Sequence, residues 1–253
     1  MIEIRNLVKK YDTTVAVDHL NLEIGSGVFF TFLGPNGAGK TTTMKLLAGL
    51  LRPTDGEIFI DGLSVTENPV EVKSRIGYIP DHPYLYGKLT GWAFLNFIGG
   101  LYRIPPAEIQ ATGNELLDVF DLHDHGDRLV ETYSHGMRQR LAFTACFLHK
   151  PRVVIIDEPW VGLDPRNIRN TIDFLRERAR QGTTIFMSTH SLSIAEEVAS
   201  RVGILNHGKL IFEGELDDLH DRATRDLEEV FLEMTAEEEA EAAQALSDEP
   251  GSF

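Results

Sequence analysis

The chain has 253 residues, a formal net charge of −15 and a single cysteine, Cys146. Its length allows a substantial core, in one large domain or two smaller lobes. The acidic balance argues against a nucleic-acid partner, which usually needs a basic stripe, and one cysteine excludes both an internal disulfide and a cysteine-based metal site.

No apolar stretch approaches the roughly 20 residues that a helical membrane span needs. Residues 1–5 lack the layout of a secretory signal. We therefore expect the chain to stay in the cytoplasm.

In chain order, short alternating or apolar segments predict strands, and longer segments between turn residues predict helices. The predicted strands lie at residues 2–4, 20–24, 28–33, 57–60, 76–79, 153–157, 183–188, 202–205 and 210–212, and predicted helices lie at 39–50, 165–180 and 191–200. Residues 82–150 differ, because their apolar and aromatic residues recur at helical spacing. The pattern predicts a mainly helical insertion in an α/β frame.

The segment Gly34-Pro35-Asn36-Gly37-Ala38-Gly39-Lys40-Thr41 lies between a predicted strand and a predicted helix. The pattern G-x-x-x-x-G-K-[ST] in this context predicts a phosphate-binding loop. Its glycines permit a tight turn and close backbone approach, and the following helix N-terminus attracts anions. We expect Lys40 to reach the β- and γ-phosphates of ATP and Thr41 to ligate Mg²⁺, with Thr42 also among the nucleotide-binding residues.

Two adjacent carboxylates, Asp157 and Glu158, follow the apolar strand 153–157. We expect Asp157 to hold Mg²⁺, directly or through water, and Glu158 to polarise a water in line with the γ-phosphate. The alternative is a pair of solvated turn residues, which the upstream phosphate loop disfavours.

Two other side chains have weaker signals when each is taken alone. His190 follows the strand 183–188 and could orient the attacking water, or it could be a hydrogen-bonded structural histidine. Tyr11 precedes a turn and could stack on the base, or it could pack against its own strand edge.

Six motifs in the same order resemble those of the nucleotide-binding subunit of an ABC transporter, over roughly residues 1–215. Tyr133-Ser134-His135-Gly136-Met137 stands where that family has its LSGGQ signature. Gly162-Leu163-Asp164-Pro165 is similar to the D-loop, and Ser188-Thr189-His190 is similar to the switch-histidine loop. The resemblance implies an α/β fold, with a P-loop NTPase (RecA-like) core, an N-terminal antiparallel β-subdomain and a helical signature subdomain.

The resemblance also divides the chain. It implies an ATPase domain over residues 1–220, with its helical subdomain at about 82–150. We expect a C-terminal helix and acidic tail over 221–253. Residues 235–253 contain six acidic residues and neither Lys nor Arg, which predicts either a short solvated helix or disorder.

By the same resemblance, two copies of the chain would sandwich ATP and Mg²⁺ between them. Ser134 and the Gly136 N–H of one copy would bind the γ-phosphate held by the phosphate loop of the other. Tyr11 then becomes the expected adenine contact and His190 the expected γ-phosphate contact. Nucleotide binding would close this homodimer, and hydrolysis would release it.

Three residues depart from the family pattern. His135 and Met137 stand where Gly and Gln are usual, and such variants are familiar among subunits that pair with ABC-2-type permeases. Asp81 replaces the glutamine of the Q-loop. Because its charge would repel a phosphate, we expect Asp81 to act as a coupling residue linked through Mg²⁺ or water.

The implied partner is an integral-membrane permease, ABC-2 type, which would hold the chain at the cytoplasmic face of the membrane. A short permease helix would enter a groove on the helical insertion, for which the aromatic candidates are Tyr84, Tyr86, Trp92, Phe94 and Phe97. The alternative is that most of these rings form the core of the insertion itself.

Two other functions compete with transport. A soluble ABC ATPase acting in DNA maintenance or on ribosomes is disfavoured by the compact insertion, the single ATP module and the acidic charge. A binding module without catalysis is disfavoured because Lys40, Asp157, Glu158 and His190 are all present.

Overall fold

The computed structural model describes residues 1–160, 162–216 and 218. The predicted C-terminal helix and acidic tail, residues 221–253, lie outside these. The strands are β1 (Ile2–Tyr11), β2 (Thr14–Ile24), β3 (Phe29–Leu33), β4 (Asp55–Ile60), β5 (Leu63–Ser64), β6 (Ile76–Ile79), β7 (Val153–Asp157), β8 (Thr184–Thr189), β9 (Arg201–Asn206) and β10 (Lys209–Glu215). The α-helices are α1 (Lys40–Leu47), α2 (Pro69–Arg75), α3 (Gly91–Leu101), α4 (Pro106–Val119), α5 (His135–Phe147), α6 (Pro165–Arg180) and α7 (Leu192–Val198).

The central sheet has the strand order β10-β9-β3-β8-β7-β6. Its strands from β9 to β6 are parallel, and β10 pairs antiparallel with β9. Every residue of β3, β7 and β8 is buried, as expected of parallel strands covered on both faces. Because these strands are parallel, their carboxyl ends meet at one edge of the sheet.

Alternate residues of the central strands enter two different cores. Phe30, Phe32 and Phe186 pack with α1 and with the second sheet, whereas Val154 and Ile156 pack on the opposite face with α5 and α6. The central sheet is therefore a layer buried between the two cores.

The second sheet is antiparallel, with the order β2-β1-β4-β5. Alternate residues of β1, β2 and β4 are buried against the core that contains α1, including Ile4, Leu22 and Ile58. Period-two burial of this kind is typical of a sheet with one covered face.

The helices α3, α4 and α5 share a separate core that includes Leu95, Ile109, Leu117 and Leu141. Each helix has a recognisable start. Thr90 Oγ1 accepts a hydrogen bond from Ala93 N at 3.1 Å before α3, and α4 begins at Pro106.

The α/β fold predicted from the sequence is confirmed, although α2 and β5 were not predicted. The helix α2 has seven residues with only Val72 buried, so it lacks a helical apolar stripe. The helix predicted at 39–50 spans Lys40–Leu47, and the one predicted at 191–200 spans Leu192–Val198. None of the helices in the described part of the chain combines the length and apolar character of a membrane span.

Candidate functional site

The loop between β3 and α1 is held against two distant backbone carbonyls. Gly39 precedes α1 at φ 105°, a left-handed conformation that favours glycine. A Cβ at Gly39 would collide with the Ala16 carbonyl oxygen, and a Cβ at Gly34 would collide with that of Leu205. Glycine is therefore required at both positions by close packing.

Lys40 is the first residue of α1, and its side chain folds back over the loop. Its Nζ donates hydrogen bonds to Gly34 O at 2.7 Å and Pro35 O at 3.1 Å, and the side chain is only 7% exposed. Burial lowers the pKa of Lys40, while the charges of Glu158 and Asp157 act in the opposite direction.

The two predicted carboxylates lie at the end of β7, beside the end of β8. Asp157 is 1% exposed, and its Oδ1 accepts a hydrogen bond from Ser188 Oγ at 2.6 Å. Glu158 follows at φ 45°, an uncommon conformation for a residue other than glycine. The solvated-turn alternative is wrong, because Asp157 is buried and Glu158 is 18% exposed.

One oxygen of Glu158 is approached by two basic side chains. Glu158 Oε1 lies 4.0 Å from Lys40 Nζ and 3.0 Å from His190 Nδ1. The His190 side chain is 65% exposed, so it approaches the carboxylate from the solvent side. The first residue of α1 and the residues that directly follow β7 and β8 thus converge on one point.

A cavity of about 260 Å³ opens beside this point. The residues that line it are Ala16, Asn36, Gly37, Gly39, Lys40, Thr41, Thr42, Asp81 and Glu158. It brings together the phosphate loop, the predicted base Glu158 and the Q-loop position Asp81. His82 Nδ1 lies 2.8 Å from Asp81 Oδ2, next to the cavity.

The oxygen atoms around this cavity are a suitable donor set for Mg²⁺. Thr41 and Asp81 line it, whereas Asp157 is buried and is not one of the lining residues, although its charge acts on Lys40. Hydroxyl and carboxylate oxygens are the ligands that Mg²⁺ prefers, commonly together with substrate phosphates and waters. Among the described residues, no cluster of three or more His, Cys, Asp or Glu side chains could by itself hold a metal ion.

Tyr11 is not one of the residues that line the cavity. It ends β1, its side chain is 44% exposed, and Lys9 Nζ lies 5.1 Å from its ring centroid. The ring is therefore accessible for stacking, although it does not line this cavity.

The signature residues are not among those that line the cavity of their own chain. Ser134 is exposed and caps α5, because its Oγ accepts a hydrogen bond from Met137 N at 3.2 Å. Gly136 packs so closely on the D-loop residue Gly162 that a Cβ would meet the Gly162 carbonyl oxygen. The ring of His135 also packs against Gly162 and lies 6.2 Å from the ring of His82.

A second cavity, of about 300 Å³, lies between the helical segment and β6. Its lining includes Tyr84, Phe94, Ile98, Tyr102, Cys146 and His149. Of the five aromatic candidates for the partner groove, Trp92 and Phe94 pack in the core of the helices. The other three, Tyr84, Tyr86 and Phe97, are exposed by 87%, 49% and 42%, so the alternative that most form this core is wrong.

Sequence reasoning missed Ser188 as a site residue. It was noted only as part of the switch-histidine segment, yet its hydroxyl contacts the carboxylate of Asp157. A single serine in an apolar strand forms no recognisable sequence motif. Only the pairing of β7 with β8 shows that Ser188 lies beside Asp157.

The fold and this site are those of an ATP-binding cassette, and comparisons with known proteins agree. The family model for ABC transporters matches residues 17–161. The chain is 38% identical to the daunorubicin/doxorubicin resistance ATP-binding protein DrrA of Streptomyces peucetius, over 99% of this chain and 76% of that protein. It is also 38% identical to the bacitracin transport ATP-binding protein BcrA of Enterococcus faecalis, over 88% of this chain and 71% of that protein.

Solved structures give the same result. The chain is similar to an ATP-binding subunit of an ABC transporter with a TM-score of 0.87 and 31% identity, covering 93% of this chain and 99% of that one. It is similar to the dimeric structure of MJ0796, a bacterial ABC transporter cassette, with a TM-score of 0.78 and 25% identity, covering 85% and 99%. The chain therefore belongs to the ABC transporter family. It is an ATP-binding subunit with ATPase activity, and these relatives favour transport over the soluble alternative.

Proposed function

We propose that this chain hydrolyses Mg-ATP at the cavity beside the phosphate loop and powers transport through a separate membrane permease. The observation that carries the proposal is the convergence on Glu158 Oε1, with Lys40 Nζ at 4.0 Å and His190 Nδ1 at 3.0 Å. A base, a phosphate-binding cation and a polar group for the attacking water are what hydrolysis of a γ-phosphate needs.

The loop from Gly34 to Thr42 holds the phosphates of ATP. Its N–H groups and the N-terminus of α1 attract the anion. Lys40 exchanges its hydrogen bonds with Gly34 O and Pro35 O for the β- and γ-phosphates. Tyr11 stacks on the adenine, because its ring is the exposed aromatic at the end of β1.

Thr41, Asp157 and Asp81 hold Mg²⁺, Asp157 directly or through water. The ion supplies positive charge that neutralises the phosphates. Glu158 takes the proton of the attacking water, and His190 contacts the γ-phosphate and orients that water. The position of both side chains at the carboxyl edge of the sheet supports these roles.

A second copy of the chain completes the site. Ser134 and the N–H of Gly136 bind the γ-phosphate from the opposite subunit, as the exposed start of α5 permits. Neither residue lines the cavity of its own chain, and this fact and the similarity to a dimeric cassette support the arrangement.

The membrane partner is a permease of the ABC-2 type, which holds the chain at the cytoplasmic face of the membrane. The exposed rings of Tyr84, Tyr86 and Phe97 beside the 300 Å³ cavity offer an apolar surface for a permease helix. The names of two equally similar relatives refer to different compounds, daunorubicin/doxorubicin in one and bacitracin in the other. We therefore assign the choice of cargo to the permease.

The test is copurification of the tagged chain from detergent-solubilised membranes. We expect a polytopic membrane protein to be recovered, and recovery of only ribosomes or DNA would overturn the proposal. Phe97→Asp in the aromatic surface should lose the membrane protein. Val70→Asp is the matched control, because Val70 is 76% exposed on α2 and should not affect recovery.

A further inference from the structure

The strands β7 and β8 are parallel neighbours, and their register pairs Asp157 with Ser188. Both residues are essentially buried, with exposures of 1% and 0%. Ser188 Oγ donates a hydrogen bond of 2.6 Å to Asp157 Oδ1. Hydrogen bonds from a hydroxyl to a carboxylate are short and strong, so this contact restrains the orientation of the Asp157 carboxylate.

The same serine also contacts the residue that follows Asp157. The backbone N–H of Glu158 donates to Ser188 O and to Ser188 Oγ, both at 3.3 Å. Glu158 has a φ of 45°, which is sparsely populated by residues with a side chain. Ser188 therefore contacts the backbone group whose conformation decides where the Glu158 side chain points.

We propose that Ser188 is a positioning residue that orients both carboxylates of the ATPase site. It holds Asp157 by a hydrogen bond to the Asp157 carboxylate, and it holds Glu158 by contacts with the Glu158 backbone N–H. The inference rests on the proposed function, because it gives these carboxylates their roles. A hydroxyl has one proton to donate and can accept as well, so the Ser188 side chain can serve both neighbours at once. An alanine would lose both side-chain contacts and would keep only the contact between the Glu158 N–H and the backbone oxygen of residue 188.

A hydroxyl group buried in this sheet does not always have a hydrogen-bond partner. Thr31 lies on β3, on the other side of β8, and is also 0% exposed. Within the described residues its Oγ1 has no hydrogen-bond partner. The bonds of Ser188 are thus a feature of the site, and Thr31 offers a matched control from the same sheet.

The experiment compares the full chain with Ser188→Ala, Ser188→Thr and Thr31→Val. The primary measurement is Mn²⁺ binding in the presence of a non-hydrolysable ATP analogue, followed by electron paramagnetic resonance. We expect Ser188→Ala to weaken Mn²⁺ binding by about tenfold, a typical effect of removing the partner of a metal-binding side chain. Ser188→Thr should restore the affinity to within about twofold, because it keeps the hydroxyl. Thr31→Val should match the unmodified chain.

Kinetics provide a second measurement. Ser188→Ala should lower kcat by about tenfold and change KM for ATP little, because the phosphate loop is untouched. Binding of the analogue in EDTA should be unchanged for the same reason. Circular dichroism checks folding, and Ser188→Cys, which has nearly the same size and a weak donor, should fall between Ala and Ser.

The outcomes separate the two proposals. If the unmodified chain binds no Mn²⁺ with nucleotide, the proposed function fails. If the unmodified chain binds Mn²⁺, and folded Ser188→Ala and Ser188→Cys bind it as well as the unmodified chain does, only the proposed role of Ser188 is overturned. Equal losses in Ser188→Ala and Thr31→Val would also overturn it, because the effect would then come from packing.

Discussion

The ammonium of Lys40 lies 4.0 Å from the carboxylate oxygen Oε1 of Glu158, although Lys40 begins α1 and Glu158 directly follows β7. Both side chains are largely buried, at 7% and 18% exposure. The charges of Lys40 and Glu158, the proposed phosphate ligand and the proposed base, therefore act directly on each other. Changing either charge should affect ATP chemistry in a distinct way.

Glu158→Gln should bind ATP but lose turnover, because the amide keeps the size of the side chain and cannot accept the proton of water. We expect phosphate release to fall by at least about 100-fold. The variant should also accumulate as a dimer at saturating Mg-ATP, measured by size-exclusion chromatography. Glu197→Gln, an exposed change on α7, is the control. A monomeric Glu158→Gln under these conditions would contradict the sandwich arrangement.

Lys40→Met should weaken ATP binding by about 10- to 100-fold, the effect expected when a charged hydrogen bond is lost. Isothermal titration calorimetry measures the affinity directly. Lys45→Met is the matched control, since Lys45 is exposed in the last turn of the same helix. Equal affinities of the two variants would argue against Lys40 as the phosphate ligand.

Asp81→Asn should strengthen the binding of ATP in EDTA by about fivefold. The prediction follows from Coulomb repulsion of about 1 kcal/mol between two charges about 4 Å apart in a watery environment. With Mg²⁺ present, the gain should shrink or reverse, because the ion uses the Asp81 carboxylate. Asp124→Asn, on an exposed turn of the helical segment, should change neither affinity. An unchanged affinity of Asp81→Asn in EDTA would place Asp81 outside the phosphate site.

Gly39→Ala and Gly37→Ala should differ in stability. Both glycines have positive φ, 105° and 87°, so both variants should lose about 1–2 kcal/mol from left-handed strain. Only the Gly39 variant also places a Cβ against the Ala16 carbonyl, whereas Gly37 faces open space. We expect Gly39→Ala to lose a further 1–3 kcal/mol or so in urea unfolding. Equal losses would show that the close approach of Ala16 is unimportant.

His149 should make the folded state less stable in mild acid. Burial lowers its pKa below the ordinary 6.5, partly offset by the hydrogen bond of Nε2 with Ile76 O at 2.9 Å. Because the folded pKa is the lower one, stability is full above pH 6.5 and declines as the pH falls through that value. The loss at pH 5.5 should be at most about 1.4 kcal/mol.

Urea unfolding of the unmodified chain and His149→Gln at pH 5.5 and 7.5 measures this effect. The variant should lose less stability than the unmodified chain between the two pH values. His123→Gln is the control, because His123 is mostly exposed. A pH dependence that is the same in all three proteins would contradict the assignment to His149.

Much of the site was predictable because its motifs are local. A strand, a glycine turn and a helix N-terminus are consecutive between Phe29 and Leu47, so one continuous segment contains all that a phosphate loop requires. The apolar strand before Asp157 is equally local. This strand has four apolar residues in a row before Asp157, a pattern typical of a strand that is buried on both faces.

Other features depend on contacts between segments far apart in the chain. The need for glycine at Gly34 and Gly39 comes from the carbonyls of Leu205 and Ala16. That Tyr11 and Ser134 do not line the phosphate cavity could not be read from their motifs either. The short helix α2 was missed because its single buried residue leaves no periodic pattern.

The sequence by itself determined the class of chemistry, because residue types and their spacing along the chain define a phosphate loop and a pair of carboxylates. Only the tertiary structure decided how these parts meet. The register of β7 and β8 places Ser188 beside Asp157, and the parallel strand order brings Lys40, Glu158 and His190 to one edge. Register and strand order result from packing over the whole sheet, and no single segment encodes them.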